Sequence, residues 1–98
     1  PDVTFKFRMV DEANWSDPNH SLFEIVRKNS EDVLKKDVVI NYRIGASDAR
    51  FYRFKGVPSI NCGLTPRNMG GPNEHVSIDE MIAIAQIHML SALDFLNM

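Results

Sequence analysis

The stretch Val38-Val39-Ile40-Asn41-Tyr42, followed by Arg43-Ile44-Gly45-Ala46-Ser47-Asp48-Ala49-Arg50, decides the fold class. Residues 38–42 are a short β-branched run, which reads as a buried strand. Residues 43–47 form a loop that carries Gly45, and Ser47 is placed to cap a short helix over 48–55 that Gly56 stops. Val57 and Pro58 lead into a second short strand over 59–62. Upstream, Asp17 is a good N-cap and Pro18 fits the first helical position. Leu22, Ile25, Val26, Asn29 and Val33 follow at helical spacing, and Lys35 and Lys36 close that helix near its negative end. Farther upstream, residues 4–10 alternate, with Phe5, Phe7 and Met9 on one face, the period of a half-buried strand. Downstream, Ser77 and Glu80 form a capping box. Ile78, Met81, Ile82, Ala85, Met89, Leu93 and Leu96 then share one helical face to the C-terminus, with Met81, Met89 and Met98 read as core filler. Strand, helix, strand, helix, strand, helix is the order of an α/β layered domain with helices packed on a sheet.

Composition narrows the function classes. The chain has 98 residues, one domain at most, with 11 Lys and Arg against 13 Asp and Glu, a net charge of −2. A generic binder of nucleic acid or anionic membrane would carry a basic excess. The single cysteine, Cys62, excludes an internal disulfide framework and a Cys-rich zinc module. It fits a reducing, cytoplasmic setting and reads as a small buried hydrophobe. No apolar run approaches the roughly 20 residues of a membrane helix, and no signal peptide opens the chain. The start at Pro1 rather than Met leads us to expect a processed chain or a piece of a longer one. The polar residues 11–17, Trp15 apart, mark a candidate domain boundary.

Residues 43–55 hold Arg43, Arg50, Arg53 and Lys55 against Asp48. A loop after a strand, opening a helix, is where α/β folds place ligands, and the helix start favours an anion. Arg50 can offer a bidentate guanidinium to a carboxylate. The plainer alternative is that Ser47 and Asp48 cap while Arg50 pairs with Asp48 or faces solvent. Residues 63–73 form a long loop with Gly63, Gly70, Gly71, Pro66 and Pro72, and long loops are often functional. His75 follows Glu74 just after that loop and has the best setting of the three histidines for a ligand or acid–base role. His20 reads as exposed in a first helical turn and His88 as a boundary residue. No His-x-Asp, Cys pair or His-x-x-x-His is present, so the spacing contains no self-contained metal site.

The Gly45-Ala46-Ser47-Asp48-Ala49-Arg50-Phe51-Tyr52 stretch, the following Gly56-Val57-Pro58, and the downstream Asn73-Glu74-His75-Val76 with Ile78-Asp79-Glu80 together resemble a known family. It is the zinc-dependent family of aminoacylases, acetylornithine deacetylases and succinyl-diaminopimelate desuccinylases, which also contains carboxypeptidases and dipeptidases. The resemblance covers essentially the whole chain and is strongest over residues 45–80. It implies a three-layer α/β fold with helices on a mixed sheet, of which this chain is an incomplete portion. Residues 1–14 would be the last strand of a lid or dimerisation domain plus a hinge, and residues 15–98 the C-terminal portion of the catalytic domain. The implied activity is hydrolysis of the amide of a small N-acyl amino acid or peptide by one or two zinc ions, or cobalt or manganese in their place, in a cytoplasmic homodimer. Substrate-binding roles pass to Gly45, Ala46, Ser47 and Arg50, with Arg50 facing the substrate carboxylate or ordering the loop, and loop support to Asp48. Where the family places a metal-binding His four residues before the Glu, this chain has Gly70, which leaves His75 and Glu74 as candidate ligands. The family's other metal ligands and its general base lie upstream, so the segment alone should be inactive. Two rivals remain: a free-standing α/β module binding a small carboxylate, and a degenerate subunit that kept the fold and lost the metal.

Overall fold

The fold is built around two helices. A computed structural model describes residues 2–9 and 12–98. The first helix, α1, spans Ser21–Leu34, the short α2 spans Ala49–Phe54, and α3 spans Ile78–Leu96. Asp17 does not cap α1. Its Oδ1 accepts from the Asn19 N–H at 2.9 Å, and the His20 N–H reaches the Asp17 carbonyl at 3.1 Å, so Asp17 organises a turn that absorbs Pro18. The cap is His20, half-buried, whose Nδ1 accepts from the Leu22 N–H at 3.2 Å. At the other end Lys35 adopts the left-handed conformation at φ 54 and its N–H returns to the Glu31 carbonyl. Ser77 caps α3 as expected, accepting from the Glu80 N–H. Glu80 does not complete the box; its Oε1 accepts from the Thr65 N–H at 3.2 Å and hydroxyl at 2.7 Å, pinning the long loop to α3.

α1 packs on α3, and the core lies between them: Phe23 and Val26 from α1, Ile87 from α3. Asn29 is buried at the same contact. Its amide donates to the Ile25 carbonyl at 3.0 Å and to Asp94 Oδ2 on α3 at 2.9 Å. Ser30 is buried too, its hydroxyl bonded to the Val26 carbonyl. The face of α3 that meets α1 runs through Ile84, Ile87 and Ser91. It is opposite the face expected from the sequence, and Ile78, Ile82, Met89 and Leu93 of the expected face are exposed. The methionines read as core filler, Met81, Met89 and Met98, are exposed with them.

The layered α/β expectation is overturned, and with it the three-layer mixed sheet. Among the described residues there is no β-strand; the main chain makes one isolated antiparallel bridge, Arg67 with His75. Residues 4–9, 38–42 and 59–62 carry no regular element; Val10, the end of the expected first strand, lies outside the described residues, as do Pro1 and Asp11 of the expected lid strand and hinge. β-Branched residues favour extended backbone, but a strand also needs a partner within about 4.8 Å. Here the segments bond to side chains instead. Val38 N–H donates to Glu31 Oε1, the Ser59 N–H to the Ser16 hydroxyl, and the Cys62 carbonyl lies 2.8 Å from His88 Nε2. Residues of segments 38–43 and 61–63 line a cleft of about 400 Å³ together with Leu34 of α1 and Ala83, Ile84 and Ile87 of α3.

On the outer side of α1, Arg27 bridges Glu24 at 2.6 Å and Glu31 at 2.8 Å. The hydrogen bond from the Arg27 guanidinium holds the Glu24 carboxyl below its ordinary value. A carboxyl lowered in the folded state contributes stability above its unfolded pKa and loses it as pH falls through the folded one. The pair is exposed, so the effect on stability is small. A proton-detected titration is expected to show the Glu24 midpoint rising toward the ordinary value in Arg27→Ala; an unchanged midpoint would contradict the pairing.

Candidate functional site

Residues 45–47 lead from the segment 38–42 into α2. Gly45 sits at φ 118 with open space where a Cβ would stand, so backbone conformation rather than crowding selects glycine there. Ser47 does not cap α2; its Oγ accepts from Asn61 Nδ2 at 3.2 Å, tying the loop to the segment 59–62. The guanidinium of Arg50 folds back onto the same loop. Its Nη1 donates to the Ser47 carbonyl at 2.9 Å and stands 3.7 Å from Asp48 Oδ1, and its Cζ lies 4.3 Å above the Phe51 ring. With its side chain only 15% exposed, Arg50 braces the loop. Asp48 and Ala46 are exposed. α2 has six residues, and in its first turn the Arg50 N–H is taken by the Ser47 carbonyl and the Phe51 N–H by the Asp48 carbonyl. The geometry therefore builds no anion site at that helix end, and the carboxylate module has no support from it.

The long loop is ordered by its own turns. The Arg67 N–H donates to the His75 carbonyl at 2.8 Å and the His75 N–H returns to Arg67 at 3.1 Å. Asn68 and Asn73 take left-handed backbone, and the Asn68 amide donates to the Pro72 carbonyl. A Cβ on Gly71 would stand 2.8 Å from Asn68 Oδ1, so a larger residue there would have to push the Asn68 side chain aside. This tight fold fixes His75. Its Nδ1 lies 2.8 Å from the Asn73 carbonyl, which can only accept, so Nδ1 donates and Nε2 is the lone-pair nitrogen of the neutral form of this exposed ring. Metal-binding histidines usually have this arrangement, with the second ring N–H given to a carbonyl. Glu74 beside it is exposed. Among the described residues no three His, Cys, Asp or Glu side chains gather to hold a metal ion, so these residues do not form a metal centre by themselves.

Several positions that hold the site together were not legible in the sequence. The Thr65–Glu80, Ser47–Asn61 and Cys62–His88 contacts join residues 14 to 26 positions apart. No local pattern marks them. The His75 placement did have a signal: Asn68, Gly70, Gly71, Pro72 and Asn73 are the turn formers of a tight reversal. Cys62 is half-buried and unpaired with another cysteine. No helix among the described residues is long and apolar enough to cross a membrane.

No protein-family model matches the chain, and no solved structure matches it. Over 86 residues, 88% of the chain, it is 24% identical to an uncharacterized metallohydrolase of Methanocaldococcus jannaschii. The match spans 21% of that protein. The chain is therefore similar, at a coarse level, to a metal-dependent hydrolase, and it corresponds to a minor part of its relative's length.

Proposed function

We propose that this chain is a segment of a metal-dependent hydrolase that cleaves the amide of a small N-acyl amino acid or peptide, with zinc as the metal. The similarity to a metallohydrolase over 88% of the chain carries the reading. In it, the loop of Gly45, Ala46 and Ser47 lines the substrate pocket. Arg50, braced against Ser47 and Asp48, keeps that loop in shape. His75, with Nδ1 committed to the Asn73 carbonyl, is the imidazole this segment offers to a metal whose other ligands come from the rest of the polypeptide. Glu74 is the weaker candidate, since its exposed carboxylate has no orienting partner among the described residues.

The test uses the complete natural polypeptide that carries these residues. Hydrolysis of N-acetyl amino acids and dipeptides is expected, lost on chelation and restored by zinc. His75→Ala is expected to weaken zinc retention at least ~10-fold, read by elemental analysis after dialysis, with helix content unchanged. His88→Ala, whose Nε2 lies 2.8 Å from the Cys62 carbonyl, is expected to retain zinc. No metal-dependent hydrolysis of any of these amides would refute the enzyme reading, and full zinc retention in His75→Ala would refute the ligand role.

A further inference from the structure

Helix α3 is apolar on two opposite faces. One carries Ile84, Ile87 and Ser91 toward α1; on the other, Ile78, Ile82, Met89 and Leu93 stand in solvent, with Met89 60% and Leu93 52% exposed. From Met81 to Leu93 there is no Asp, Glu, Lys or Arg. A helix that is apolar all round belongs inside a protein, whereas a surface helix carries charge on its outer side. α3 therefore has the sequence of an inner helix with one side covered.

The surface area agrees. The chain exposes 8488 Å², where a compact protein of its mass exposes roughly 5,700 Å², an excess of about 2,800 Å². Its radius of gyration is 17.2 Å against about 13 Å for a compact domain of this length. Permanent interfaces bury about 1,000–2,500 Å² on each partner, so an excess of that size is ample for one. Phe5, Phe7 and Met9 are exposed as well and contribute to the excess.

We infer that the outer face of α3 packs against an apolar surface of the rest of the same, longer polypeptide. The relative supplies the occupant: the match spans 21% of it, which leaves most of that protein's length outside the matched region. A membrane surface fits poorly, because interfacial helices carry Lys and Arg on their polar side and residues 72–98 contain neither. The inference rests on the reading of the chain as a segment of a larger hydrolase.

Methionine oxidation tests it without any substitution. Met89 lies on the outer face of α3, and Met69, 71% exposed at the tip of the long loop, is an internal reference. In the complete natural polypeptide treated with hydrogen peroxide, peptide mapping is expected to show Met89 converting to the sulfoxide at least ~10-fold more slowly than Met69. Comparable rates would overturn the inference. So would protection that disappears on dilution together with a dimer, which assigns the face to a second copy, or protection that appears only with lipid vesicles. Metal-dependent hydrolysis, measured on the same sample, separates the two claims. Hydrolysis with a reactive Met89 removes the inference alone, and a protected Met89 without hydrolysis removes the enzyme reading alone.

Discussion

Ile87→Ala is expected to destabilise the protein by about 3 kcal/mol, the middle of the range for truncating a buried Ile. Ile87 is the one large side chain among the described residues with 0% exposure. It sits in the middle of α3 where that helix meets α1, beside the cleft that Leu34 and Ser30 also line. Among the described residues the buried apolar core is otherwise Phe23 and Val26, so few neighbours can collapse into the space left behind. Ile87→Val removes one methylene and is expected to cost about 1 kcal/mol. Urea unfolding of the two variants separates the explanations. A steep step from Val to Ala marks a rigid cavity, whereas near-equal small losses would mean that the α1–α3 contact is not where stability resides. Natural domains hold about 5–15 kcal/mol in total, so the Ala variant gives up a large share.

The same residue shows where sequence reading stopped. The three helices were legible from apolar spacing, the Ser77 cap and the Gly56 stop, which act locally, although Asp17 and Ser47 do not cap as expected. Gly56 and Val57 return their N–H groups to Arg53 and Tyr52, the double bond that ends α2 where the glycine predicted it. The inward face of α3 was not legible. Periodicity finds the buried side only when the other side is polar, and α3 is apolar on both. The extended segments were misread for a related reason. Val38 and Ile40 are half-buried and Val39 and Asn41 exposed, so side chains alternate over 38–41, but pairing depends on a partner that local sequence does not specify. At the candidate site, residue type and setting singled out His75 and the Ser47 loop. That Arg50 turns inward to brace the loop was visible only as one of two open alternatives, because a guanidinium's partner is a matter of tertiary geometry.

The second large effect is expected at Arg53, which the sequence marked only as one of four cations. Its Nε and Nη2 donate to the Ser59 carbonyl at 3.2 and 2.9 Å, and its Nη1 to Asn14 Oδ1 at 3.0 Å. The Ser16 hydroxyl completes the clip, accepting from the Ser59 N–H at 2.9 Å and donating to the Ser59 carbonyl at 3.2 Å. α2 buries no residue and packs on neither α1 nor α3 among the described residues, so this fork is what holds it. Arg53→Ala is expected to cost about 2 kcal/mol of local stability, the scale of hydrogen bonds from a charged donor. Amide exchange at Lys55, Gly56 and Val57 should then quicken roughly 30-fold while the α1–α3 core keeps its protection. Arg53→Lys is expected to recover less than half, because one ammonium cannot span the Ser59 carbonyl and the Asn14 amide together. Ser16→Ala strips the partner from the Ser59 N–H and should couple to Arg53→Ala, since both act on Ser59. Exchange at residues 55–57 that does not change in Arg53→Ala would show that α2 is held by something other than this clip. If it quickens, the loop of Gly45, Ala46 and Ser47 loses its downstream anchor as well. In the complete polypeptide the proposed pocket role and proposed zinc site then predict a raised KM with zinc retention unchanged, a combination that distinguishes a positioning residue from a metal ligand.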